Sequence, residues 1–114
     1  MTTATVKDLC CSPVLRDELS AEDSTQLAAA LRVLADPVRL RLISLIRVAP
    51  GGRAVTRDLV TRLDVAQPTV SHHLGVLHDA GFVRRSREGR ETWYAIEPDA
   101  FSAVSGLLEP GASD

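Results

Sequence analysis

Between Thr56 and Ile96 the spacing of apolar residues changes from the period of a helix to that of a strand. "TRDLVTRL" (Thr56 to Leu63) predicts a short helix, and Asp64, Val65 and Ala66 predict a tight turn. A second helix follows from Gln67 to Ala80, closed by Gly81, with Val70, Leu74 and Leu77 as its apolar stripe. The next stretch, "FVRRSREGRETWYAI", splits into two short runs around Glu88-Gly89, a good hairpin turn. In the second run Thr92, Tyr94 and Ile96 alternate with Glu91, Trp93 and Ala95. Two helices across a tight turn, followed at once by a hairpin, leave few folds open.

The flanking sequence supplies a core for that unit. "DPVRLRLISLIRV" predicts a helix with Asp36 as its cap and Pro37 in its first turn. Val38, Leu40, Leu42, Ile43, Leu45 and Ile46 cover most of its circumference, which makes it the central helix. Ahead of it, a helix starting near Asp23 or Ser24 and running to Ala35 carries Leu27, Leu31 and Leu34 on one face. A last helix, about Asp99 to Leu108, gathers Phe101, Val104, Leu107 and Leu108. Residues 1–22 read as a flexible N-terminal arm with Pro13 discouraging a helix, 23–108 as one folded domain, and 109–114 as a disordered tail. The fold expected is mainly α with a β-hairpin wing, in the order α-α-α-α-β-β-α: a winged helix-turn-helix.

Charge sharpens the functional reading. The net charge is only −2, but residues 53–90 hold seven arginines against four acids, while 91–114 hold five acids and no Lys or Arg. A basic middle between acidic ends admits an anionic partner. No apolar run approaches the roughly 18 residues needed to span a bilayer. The opening "MTTATVKD" lacks an apolar signal core. A cytoplasmic protein with no membrane partner is expected, its cysteines held as thiols.

These features predict binding to double-stranded DNA. A helix fits the major groove, where base edges show distinct donors and acceptors. Gln67, Pro68, Thr69, Ser71 and His72 open the second helix of the pair and are the candidate contacts there. Arg84, Arg85, Arg87 and Arg90 on the hairpin suit phosphates or the neighbouring minor groove. An enzyme is not expected. A small thiol oxidoreductase built on Cys10-Cys11 would lack Cys-x-x-Cys spacing, and no Gly-rich phosphate loop is present.

Three stretches, "ALRVLADPVRLRLISLI", "QPTVSHHLGVLHDAGFV" and "REGRETWYAI", resemble the ArsR/SmtB family of bacterial transcriptional regulators. The resemblance runs from about residue 25 to 108. It implies a homodimer that binds an imperfect inverted repeat, with Leu27, Leu31, Leu34, Phe101, Val104, Leu107 and Leu108 at the dimer interface. It also implies repression relieved by a metal or metalloid ion. One departure falls at Ala66, where the family commonly has a serine that caps the reading helix.

The family's effector sites are largely missing. Val55 and Arg57 replace the cysteines of a "CVCDL"-like start to the third helix, and residues 97–109 contain no histidine. The vicinal pair Cys10-Cys11 matches an arm site of arsenic-sensing members, with Arg53 where a third thiol would be sought. These two cysteines are the candidate ligands for As(III) or Sb(III), since soft thiolates select soft ions. Nickel, cobalt or zinc on nitrogen and oxygen ligands, a regulator without metal sensing, and one acting with a second regulatory protein stay open as alternatives.

Overall fold

A computed structural model describes residues 18–109 of the chain. Cys10 and Cys11 lie outside the described residues, as do most of the expected arm and residues 110–114 of the expected tail.

Five helices and a small sheet follow one another: α1 (Ala21–Leu34), α2 (Pro37–Val48), β1 (Arg53–Val55), α3 (Thr56–Leu63), α4 (Gln67–Asp79), β2 (Val83–Glu88), β3 (Glu91–Ile96) and α5 (Pro98–Leu108). The three strands pair antiparallel in the order β1-β3-β2. This is the expected winged helix-turn-helix, with one strand more than the sequence pattern gave. β1 is three residues long and directly precedes α3, too short for alternation to announce it.

α1 begins earlier than Asp23. Ser20 is the N-cap: its Oγ accepts a 3.0 Å hydrogen bond from the Asp23 N–H and donates to the Asp23 carboxylate at 2.9 Å. Asp36 caps α2 as expected, its Oδ1 accepting from the N–H groups of Val38 (2.9 Å) and Arg39 (3.1 Å). The hydrogen bond from the Arg39 N–H, more than any other influence, holds the Asp36 carboxyl below its usual range, against partial opposition from desolvation.

The core gathers one face of each helix. Leu42 and Ile46 of α2, Leu59 of α3, and Val70, Leu74 and Leu77 of α4 are fully or nearly fully buried, together with Phe82. Burying a side chain such as Phe82 is worth roughly 1.5–3 kcal/mol. The circumference of α2 is not buried all round, however: Leu40 is 52% and Val48 66% exposed. The helix is central by one face only.

α4 ends in a Schellman motif, with the Gly81 N–H on His78 O (3.0 Å), the Phe82 N–H on Leu77 O (2.9 Å), and φ +89° at Gly81. That motif drops Phe82 into the core, where its ring meets Phe101 of α5 at 5.2 Å between centroids. The Glu97 N–H bonds to Phe82 O at 2.9 Å and ties the end of β3 to the residue before β2. The hairpin loop is Gly89-Arg90, one residue later than expected, with Gly89 at φ +62°. The shift keeps Glu88 inside β2, opposite Glu91.

Candidate nucleic-acid interface

The turn between α3 and α4 sets the angle of the helix pair. Asp64 ends α3 in the left-handed conformation (φ 56°, ψ 43°), and its N–H bonds to Val60 O at 3.1 Å. Aspartate is one of the few residues with a side chain that visit this region readily. Three residues later α4 begins at Gln67 with Pro68 in its first turn. Ala66, at the cap position, makes no side-chain hydrogen bond, so the cap is lost as its residue type implies.

Gln67, Pro68, Thr69, Ser71 and His72 are all exposed. Val70, Leu74 and Leu77 anchor the opposite side of the helix in the core. Gln67 and Ser71 line a depression of about 450 Å³ that also takes in Arg90 and Thr92 of the wing and Arg57 of α3. A second depression, about 370 Å³, is lined by Arg85 and Arg87 and shares Thr92 and Tyr94 with the first. The start of α4 and the inner face of the wing thus border one concave surface carrying four arginines.

Strand register sorts the wing arginines into two sets. Arg85 pairs with Tyr94 and Arg87 with Thr92, on the face that holds this concave surface. Arg84 pairs with Ala95 on the other face, where its Nε lies 3.7 Å from Glu97 Oε2 and an Nη donates to Ile96 O at 3.4 Å. Arg84 therefore lies apart from Arg87 and Arg90, while Arg85 also borders a depression that it shares with Arg84 and Trp93. Sequence reasoning missed Arg57, whose Nη1 lies 3.1 Å from Glu91 Oε1 and braces α3 against the first residue of β3. Its place in "TRDLVTRL" gave no signal, because the partner lies across the wing.

The histidines do different jobs. His73 Nδ1 lies 3.1 Å from Arg39 Nη1, in a structural contact to α2. His72 is exposed beside it, and His78 Nδ1 lies 3.4 Å from Asp79 Oδ1. Among the described residues no three His, Cys, Asp or Glu side chains come together to hold a metal ion. Arg53, at the place of a third thiol, is paired with Glu88 and stacks over the Trp93 ring at 4.0 Å. No helix of the described residues is long and apolar enough to cross a membrane.

The expected dimer residues divide as well. Leu27 and Val104 are buried within the single chain, and Phe101 is half-buried against Phe82. Leu31, Leu34 and Leu107 are half-buried, and Leu108 is 69% exposed.

Comparison with known proteins agrees with this architecture. The chain is 40% identical over 76 residues to a biofilm growth-associated repressor of Agrobacterium fabrum, covering 67% of this chain and 62% of that protein. It is 32% identical over 78 residues to an arsenic resistance transcriptional regulator of Pseudomonas putida, covering 68% and 59% respectively. The chain thus spans about three fifths of the length of these two curated relatives. A crystal structure of an ArsR family transcriptional regulator superposes with a TM-score of 0.65 at 32% identity, covering 73% of this chain and 88% of that one. These relatives are transcriptional regulators, not enzymes. Residues 36–85 match the family described as "Bacterial regulatory protein, arsR family", and with the superposed structure this establishes that the chain belongs to the ArsR family.

Proposed function

We propose that the chain is a transcriptional repressor that binds an imperfect inverted repeat in double-stranded DNA as a homodimer. The observation that carries this reading is the shared concave surface on which Gln67 and Ser71 of α4 meet the wing residues Arg90 and Thr92. α4 enters the major groove with Gln67, Thr69, Ser71 and His72 toward base edges and phosphates. Arg85, Arg87 and Arg90 hold the flanking backbone or minor groove. Arg84, turned to the other face and paired with Glu97, contributes less. The uncapped first turn of α4 presents free N–H groups, a further attraction for phosphate. Leu31, Leu34, Leu107 and Leu108 supply the apolar surface for the second copy.

The effector in this reading is arsenite or antimonite, held by Cys10 and Cys11. Support comes from thiolate chemistry and from the similarity to the arsenic resistance transcriptional regulator of Pseudomonas putida. Nickel, cobalt or zinc would need a cluster of N and O ligands, which the described residues do not form. Titrating the protein with duplex from upstream of its own gene, with and without arsenite, tests the whole reading. Saturable binding that arsenite releases supports it. Arsenite-insensitive binding would leave a repressor that senses no metal or acts with a second protein. No preference for the upstream duplex over unrelated DNA would overturn the DNA-binding reading itself.

A further inference from the structure

A cavity of about 360 Å³ lies between the end of α2, α3 and the outer face of the wing, and shares no lining residue with the concave surface described above. We propose that it binds a small organic carboxylate with an apolar body, of the size of a phenylalkanoate. Its volume is within the range of small-molecule sites. Leu45, Val48 and Pro50 give it an apolar lining, with Trp93 beneath Arg53, and Val48 is among the few large apolar side chains left exposed. The rest carries Arg53 and Arg62 against the single acid Asp58, so the cavity's own charge favours an anion.

The two guanidiniums are prepared for a carboxylate in different ways. Arg62 has no ion-pair partner among the described residues. Arg53 is held over the Trp93 ring, and a planar fork fixed in this way loses little freedom when it binds a carboxylate. Its present partner, Glu88, is about half exposed, and exposed pairs of this kind contribute only about 0–1 kcal/mol. A ligand carboxylate can therefore replace Glu88 at small cost. The apolar body then lies toward Val48 and Pro50, away from the head group and next to the carbonyl end of α2, where an anion would be disfavoured.

The exchange has a structural consequence. Glu88 is the last residue of β2, directly before the Gly89-Arg90 loop. Taking Arg53 from Glu88 releases the tip of the wing from β1. Ligand binding and wing position are thereby linked, and this link to DNA rests on the function proposed above.

Binding itself can be read without DNA, because Trp93 is the one tryptophan of the chain and lines the cavity. The free protein is titrated with 4-phenylbutyrate and with its neutral amide while Trp93 emission is followed. The acid should give a saturable change, with the amide about tenfold weaker or worse. Arg62→Gln should weaken the acid about fivefold or more, whereas Glu88→Gln, which frees Arg53, should tighten it. No saturable change up to about 10 mM would overturn the proposal. So would equal binding of acid and amide, or an acid affinity indifferent to Arg62→Gln. Any of these failures leaves the DNA-binding reading standing.

Discussion

Arg39 Nη1 lies 3.1 Å from His73 Nδ1, joining the first turn of α2 to the middle of α4. A guanidinium can only donate, so Nδ1 is the acceptor and the imidazole proton sits on Nε2. The same Arg39 donates from Nε to Val33 O, and its own N–H is taken by Asp36. One side chain thus fastens the end of α1, the start of α2 and the reading helix together. α4, the helix proposed to meet DNA, is oriented from behind by a polar contact as well as by its apolar stripe.

Adjacent histidines should therefore behave differently on substitution. His73→Ala should cost about 1 kcal/mol of unfolding free energy, the usual worth of a part-buried hydrogen bond. His72→Ala should stay within about 0.5 kcal/mol, as exposed substitutions do, and should instead weaken DNA binding. Urea unfolding of the two variants, beside a DNA titration of His72→Ala, checks the pair.

Asp36 gives the fold an acid-sensitive joint. Its carboxyl titrates below the ordinary 3.8 in the folded chain, so the unfolded chain binds its proton more readily. The stability this confers is fully present above the ordinary value and is lost as pH falls through the lowered one. Asp36→Asn keeps an oxygen acceptor for the cap but cannot titrate. Melting temperatures near neutrality and again near pH 3 should show the wild type losing ground to Asp36→Asn in acid.

Ala66→Ser restores the missing cap of α4. The gain should be about 1 kcal/mol in thermal or urea unfolding, since the position is exposed and a serine hydroxyl can reach the free N–H groups of the first turn. No gain would mean that something else already satisfies them.

Replacing Cys10 and Cys11 together with Ser should leave DNA affinity intact and abolish release by arsenite. Release that persists in the double variant would remove these cysteines from the sensing site.

Most of the helical frame was legible because its signals are local. Asp36-Pro37 announced α2, and Thr56 to Leu63 and the start at Gln67 were placed by period and turn chemistry. Ser20 was missed although Ser-x-x-Asp is a capping signal; Asp23 and Ser24 offered competing caps a few residues on. β1 was missed because three residues cannot display a period, and its existence depends on pairing with β3 forty residues later. The site was legible as residue types but not as an arrangement. A run such as Arg84-Arg85-Ser86-Arg87 looks uniform until the pleat sends alternate members to opposite faces, and the bracing of Arg57 by Glu91 requires the wing already folded back.

That division of the wing is the most direct test of the interface. The logarithm of DNA affinity is plotted against the logarithm of salt concentration for the wild type, for Arg85→Ala with Arg87→Ala, and for Arg84→Ala. Each lost phosphate contact should lessen the slope by about 0.9. The double variant should bind more weakly at every salt concentration and flatten the slope by between one and two such steps, while Arg84→Ala stays close to the wild type. An unchanged slope in the double variant would contradict the account.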